Sequence, residues 1–188
     1  TWLSLAQVKG KVARHEGELT FRLKNGRTVS RKDTPGEFES YNDASGKPNR
    51  SHTFSQYFEK QGYYLVQVHY YEGSSFELIN ATTGIAVELF DEPVFSPDRR
   101  RFLVVSADDY DPATNEIQVW TIAPTNALKE WVYKPQNWPW VIVKWIDSSA
   151  IDVFYREWSK ERGEYPAKLV ARIKKNQKGN GWTVSGKD

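Results

Sequence analysis

Residues able to do chemistry gather in only a few places along this chain. Asp108, Asp109, Asp111, Asn115 and Glu116 place five oxygen-bearing side chains within nine positions, and hard oxygen donors at that density are what calcium takes as ligands. Asp109, Asp111 and Asn115 are the candidate ligands. The glycine and distal glutamate of an EF-hand loop are missing, and Pro112 stiffens the middle, so the stretch reads equally as a solvated loop between strands. The same carboxylates could serve acid–base hydrolysis, which needs two carboxyl groups held ~5 to 10 Å apart across a cleft. Asp109 and Asp111 lie on one loop with no partner that the sequence can place opposite them. His15, His52 and His69 stand apart, with no two at metal-ligand spacing. Gly46-Lys47 lacks the upstream glycine of a phosphate loop, and Gly73-Ser74-Ser75 lacks the glycine that follows the serine of a nucleophile elbow. With no cysteine in the chain, thiol nucleophiles, disulfides, Cys-ligated zinc and iron–sulfur clusters are excluded. The expectation is a protein that is not an enzyme and needs no cofactor.

Binding chemistry is better supplied. Trp131, Tyr133, Trp138, Trp140 and Trp145 form an aromatic run, and Trp and Tyr dominate binding hot spots because they bring large contact area with few rotatable bonds. Trp131, Trp140 and Trp145 fall in strands and should pack inside. Trp138, between Asn137 and Pro139, and Tyr133 beside it could stack on a glycan or a protein. Residues 166–188 carry six Lys or Arg against one Asp. Simple alternation there puts Lys168, Arg172 and Lys174 on one face and Leu169, Ala171 and Ile173 on the other, offering either a solvated outer strand or a positive docking face for an acidic partner. Asn49-Arg50-Ser51 and Asn80-Ala81-Thr82 are formal glycosylation sequons, relevant only in a eukaryotic secreted protein.

The elements that must position these residues are strands. In 18–24, Leu19, Phe21 and Leu23 alternate with Thr20, Arg22 and Lys24, the period of a half-buried strand. Asn25-Gly26 then turns the chain. A two-residue loop would put Val29 on the wrong face, whereas a loop of Lys24, Asn25 and Gly26 pairs Phe21 with Val29, with Gly26 left-handed in a bulge. Residues 34–51 are rich in Gly, Pro, Ser, Asn and Asp and read as a polar surface insertion. Further strands are expected at 53–58, 63–71, 76–80, 85–90, 94–96, 101–106, 116–122, 131–133, 140–146, 151–158, 168–173 and 182–185. No stretch carries a helical apolar period bounded by caps.

Composition agrees with a folded, uncharged-on-balance chain. It has 188 residues, 39% hydrophobic, with a net charge of +2, which suits a single β domain over 1–188 with one core and argues against a dedicated nucleic-acid binder. No apolar run reaches the ~18 to 20 residues that span a bilayer. The sequence contains no methionine, so Thr1 is not an initiator. The expectation is a removed export signal and a periplasmic or secreted protein, with a trimmed cytoplasmic protein as the alternative.

The strands repeat. Third strands begin near Glu18, Phe76, Glu116 and Lys168, and once the insertion is set aside a period of roughly 40 to 50 residues remains, each unit four short antiparallel strands. Phe54-Ser55 before Tyr64-Leu65-Val66 recurs as Phe95-Ser96 before Phe102-Leu103-Val104. The round over 94–133, which opens FSPDRRRFLVVSADD and ends IQVWTI, resembles a Trp-Asp-repeat or TolB-type propeller blade. Arg99 stands where such a turn usually has glycine, and Thr121 follows Trp120 where the repeat has Asp. The resemblance implies an all-β, propeller-like protein of about three and a half to four units in an open or distorted arc, short of the ~4 to 8 blades of closed propellers. Its two terminal faces would need cover from residues 2–11, the insertion or another molecule. The functional expectation is a non-catalytic macromolecule-binding protein of the bacterial envelope, such as an inhibitor or immunity protein that occludes a toxin or enzyme. A carbohydrate- or small-ligand-binding domain and a carboxylate-dependent hydrolase are the alternatives.

Overall fold

The computed structural model describes residues 8, 10–34, 49–71, 73–106, 115–135, 141–156, 167–176 and 181–186. Among the described residues all regular structure is strand: β1 (Val12–His15), β2 (Glu18–Arg22), β3 (Thr28–Lys32), β4 (Ser51–Phe58), β5 (Tyr63–Tyr70), β6 (Gly73–Asn80), β7 (Ala86–Leu89), β8 (Val94–Phe95), β9 (Arg101–Ser106), β10 (Glu116–Ile122), β11 (Ala127–Tyr133), β12 (Val141–Asp147), β13 (Ala150–Arg156), β14 (Ala167–Lys175) and β15 (Trp182–Gly186). They form four antiparallel sheets in simple meander order: β1-β2-β3, β4-β5-β6-β7, β11-β10-β9-β8 and β12-β13-β14-β15. Three sheets of four strands and one of three is the unit count that the repeat predicts, and each sheet is a propeller-like unit.

The N-terminal hairpin follows the turn chemistry. Phe21 pairs with Val29, Leu23 N–H donates to Arg27 O at 2.7 Å, and Gly26 closes the loop at φ 84°, a conformation that a side chain disfavours. Strand β1, which pairs with β2 from Val12↔Phe21 to His15↔Glu18, is absent from the sequence reading because VARH has too little alternation to mark it. The insertion is narrower than expected. Thr34 and Arg50 already bridge its ends and Ser51 opens β4, while 35–48 lie outside the described residues. In the Phe95-Ser96-Pro97-Asp98 turn, Asp98 accepts from Ser96 Oγ at 2.7 Å and Arg100 N–H at 3.1 Å. Arg99 takes the left-handed conformation at φ 59°, the geometry for which glycine is the usual occupant.

The sequence suggests one core; the buried side chains form two clusters, one in each of two compact units. The first unit comprises Thr1–Phe90 with Ala123–Ala127, the second Asp91–Ile122 with Leu128–Asp188. In the first, Val8, Val12, Leu19 and Phe21 pack with Tyr57, Tyr64, Val66, Ile79 and Ala81, so the segment before β1 does cover part of that core. Phe21 and Tyr64 lie at 5.2 Å and Tyr57 stacks on Tyr64 at 4.7 Å. In the second, Leu103, Ile117 and Val119 of the third sheet meet Trp145, Ile151, Val153, Ala171, Ile173 and Trp182 of the fourth.

Burial differs between the sheets in a way that bears on function. In the second sheet Tyr64, Val66 and Ile79 enter the cluster, and Tyr63, Leu65, Leu78 and Leu89, on the opposite face, are buried as well. The third sheet likewise buries Leu103, Ile117 and Val119 on one face and Phe102, Val104 and Trp120 on the other. Strands covered on both sides read as continuous apolar runs, as LVV and YYLV do. The first and fourth sheets each bury fully apolar side chains on one face only. The outer face of the first carries Glu18, Thr20, Arg22, Ser30 and Lys32, which is the ordinary composition of a wetted sheet.

Candidate functional site

The outer face of the fourth sheet is built differently. Ile151 and Val153 enter the core, so Asp152 and Phe154 project from the other side of β13. Ile142 lies opposite Phe154, and Phe154 opposite Leu169, giving an apolar rung across three strands. Ile142 is 37% and Leu169 54% exposed. The next rung is charged: Lys144 faces Asp152, Asp152 faces Arg172, and Arg172 faces Ser185. Lys174 stands one rung further, opposite Thr183. A single apolar side chain on a surface is ordinary, whereas a contiguous rung framed by charges has the composition of a recognition patch.

A bulge decides which residues share this face. Val153 pairs with Ala171 but Phe154 pairs with Leu169, so Val170 is an extra residue in β14. Val170 packs partly against the core instead. Gly186 makes room, because a Cβ there would lie 2.2 Å from Val170 O and 2.6 Å from Ala171 Cα. The expected alternation is therefore corrected. Ala171 and Ile173 do point inward, but Leu169 joins Arg172 and Lys174 on the outer face, and the bulge puts Lys168 in the opposite phase. A bulge leaves no mark in an alternation count.

Electrostatics fix the charged rung. Arg172 grips Asp152 in a bidentate pair, Nε to Oδ1 at 2.5 Å and Nη2 to Oδ2 at 2.8 Å. Those hydrogen bonds hold the Asp152 carboxyl below its ordinary range, and the carboxylate in turn raises the Arg172 guanidinium. Lys144 and Lys174 also favour the ionised carboxylate. Three cations against Asp152 leave this rung region net positive, the sign expected from the C-terminal run of basic residues.

The remaining sequence candidates are distributed as follows. Asp109, Asp111 and Trp138 lie outside the described residues. Asn115 is fully buried at the start of β10. Tyr133 is half-buried, stacked on Trp131 at 5.8 Å and packed against the second unit's core. Trp145 is buried and donates from Nε1 to Val94 O at 2.9 Å. Among the described residues no three His, Asp or Glu side chains gather at metal-binding distance, and no helix is long and apolar enough to cross a membrane.

Sequence reasoning missed a second polar site, in the first unit. Arg14, Asp33 and His52 are far apart in sequence, yet Arg14 donates to both Asp33 Oδ2 and His52 O. Asp33 Oδ1 accepts from His52 N–H at 2.8 Å and lies 3.1 Å from His52 Nδ1. Arg31, one strand away, pairs with Glu77. Above this knot opens a cleft of about 340 Å³ lined by Ser30, Arg31, Lys32, Thr34, Arg50, His52 and Glu77. The only trace in the sequence is that Arg31 takes the phase of Val29 in 28–32, where an apolar residue is the default.

These sheets define an all-β protein built of propeller-like antiparallel meanders, three of four strands and one of three. No protein family and no curated protein matches the chain. Among solved structures, Hsv2p of Kluyveromyces lactis is similar at 14% identity with a TM-score of 0.31, the likeness covering 87% of this chain and 60% of that one. The chain thus spans about 60% of the length of that protein.

Proposed function

We propose that this chain is a non-catalytic module that binds another protein through the outer face of its fourth sheet. The observation that carries the reading is the Ile142–Phe154–Leu169 rung, its ends exposed and its centre half-buried, where the outer face of the first sheet is polar. Its neighbours Lys144, Arg172 and Lys174 select a partner with a small apolar projection ringed by Asp or Glu, since complementary rim charges steer encounter and fix register. Among the described residues, three of the least exposed carboxylates are held by cations: Asp152 by Arg172, Glu130 by Arg101 and Lys175, Glu77 by Arg31. An exported protein of the bacterial envelope that occludes a toxin or enzyme, as an inhibitor or immunity protein does, would use such a face.

The test compares the wild-type chain with Leu169→Lys and with a Lys144→Glu, Lys174→Glu double variant. A partner crosslinked to the wild-type chain in envelope extracts is identified, purified and mixed with each. Leu169→Lys should weaken a one-to-one complex about 10- to 100-fold, the range of a central contact; the double variant should slow association and flatten its salt dependence. A complex indifferent to all three substitutions, or an acidic rim missing from the partner's contact surface, refutes the reading.

A further inference from the structure

We infer that the polar cleft of the first unit is a binding site for a small ligand that presents a carboxylate group. The cleft is of small-molecule size, near the lower end of the ~300 to 1,000 Å³ typical of ligand pockets. Its lining supplies the donors that an oxyanion requires, above all the guanidinium of Arg50 and the hydroxyl of Thr34. The other two cations nearby are already committed, Arg31 to Glu77 and Arg14 to Asp33. Among the described residues no ion pair holds Lys32 or Arg50.

The site is held in place before any ligand arrives. Thr34 N–H donates to Arg50 O at 2.9 Å and Arg50 N–H to Thr34 O at 3.3 Å, so the two lips are bridged. The Arg50 guanidinium lies over the Tyr70 ring at 5.7 Å, which leaves its planar fork available. Tyr70 is fixed in turn, its hydroxyl donating to Glu88 Oε1 at 3.2 Å. His52 lines the cleft and is held from behind by Asp33 through the bonds already described. Pre-ordered donors lower the entropic penalty of binding.

Charge decides between ligand classes. Three cations and Glu77 line the cleft, and Glu88 lies directly opposite Glu77 across the sheet. A phosphate dianion would set two charges against the Glu77 carboxylate, whereas a monocarboxylate brings one negative charge in the planar shape that a guanidinium fork pairs in a bidentate manner.

Calorimetric titration of the full chain with propionate, inorganic phosphate and sodium chloride at matched ionic strength tests this. Propionate should bind saturably and raise the melting temperature beyond the sodium chloride control. Arg50→Gln should weaken it about tenfold or more, and Arg50→Lys should restore little, because a point charge does not replace the fork. Leu169→Lys should leave propionate binding intact, which separates this site from the protein-binding face. Propionate no better than the salt control, phosphate binding more tightly than propionate, or full affinity in Arg50→Gln overturns the inference.

Discussion

Replacing Glu130 with Gln removes a carboxylate that ties together three strands of the second unit. Glu130 on β11 is 13% exposed; its Oε2 accepts from Arg101 Nε on β9 at 2.7 Å and its Oε1 from Lys175 Nζ on β14 at 2.6 Å. Both cations also lie near the Trp182 ring, at 5.9 Å and 6.0 Å. Gln keeps the shape, so no cavity opens, but its amide nitrogen cannot accept from a cation, so one of the two bonds is lost along with the negative charge. A hydrogen bond to a charged group contributes ~1.5–3 kcal/mol, so losing one and weakening the other should cost about 2–3 kcal/mol. At ~2–4 °C per kcal/mol for a chain of this size, the melting temperature should fall by roughly 4–12 °C. The effect must also depend on pH. Burial alone would raise the Glu130 carboxyl, but the Lys175 and Arg101 bonds and charges outweigh it and hold the pKa below the ordinary value. A carboxyl whose folded pKa is depressed stabilises the fold fully above its unfolded pKa, ~4.3, and loses that contribution as pH falls through the folded value. Thermal or urea unfolding of both proteins from pH 7 to pH 3 should therefore show the wild-type advantage intact near neutrality and shrinking below pH ~4. An advantage that persists undiminished at pH 3, or one under ~0.5 kcal/mol at pH 7, refutes the account.

Three further substitutions have defined outcomes. Arg99→Gly should raise stability by up to about 1 kcal/mol in urea unfolding, since glycine relieves a left-handed residue whose strain is ~1–2 kcal/mol but loosens the unfolded chain. Trp145→Phe should lower stability by more than a surface change, about 1–3 kcal/mol, because Val94 O loses its indole donor and the core loses volume; an unchanged midpoint would show that water replaces the bond freely. Gly186→Ala should loosen the end of β15, read as faster amide exchange at its pairs with β14, because a Cβ there meets backbone that cannot yield.

How much of this was legible in the sequence depends on range. Features set by adjacent residues came through: the three-residue loop at Lys24, Asn25 and Gly26, the tight turn after Phe95, and the strand runs of 101–106 and 116–122, whose bounds coincide with β9 and β10. The unit count came through because it is a repetition of those local signals. Charge clusters assembled across strands did not. Arg14, Asp33 and His52 converge only once three strands have paired, and no spacing rule connects positions 14, 33 and 52. Strand β1 escaped for a related reason: Val12 is its sole buried residue, too little for a period to show. Leu169 failed differently, since unbroken alternation was expected and the extra residue Val170 reversed its phase.

That reversal can be tested directly, because the chain contains no cysteine and a single introduced thiol reports on one position. Deleting Val170 removes the extra residue of β14 and leaves Leu169 next to Ala171 in an unbroken alternation. Ala171 still points into the core, so position 169 still points out: the bulge and the deletion give the same facing, at the expense of the contact that Val170 makes with the core. A Leu169→Cys chain should therefore react quickly with a thiol reagent both with Val170 present and with it deleted. If β14 alternated without a bulge, Leu169 would share the inward phase of Ala171 and Ile173. The thiol would then be protected in the complete chain and become reactive only on deletion. Protection in the complete chain, with circular dichroism showing an intact fold in both, would remove Leu169 from the outer face, break the apolar rung, and with it remove the observation on which the binding proposal stands.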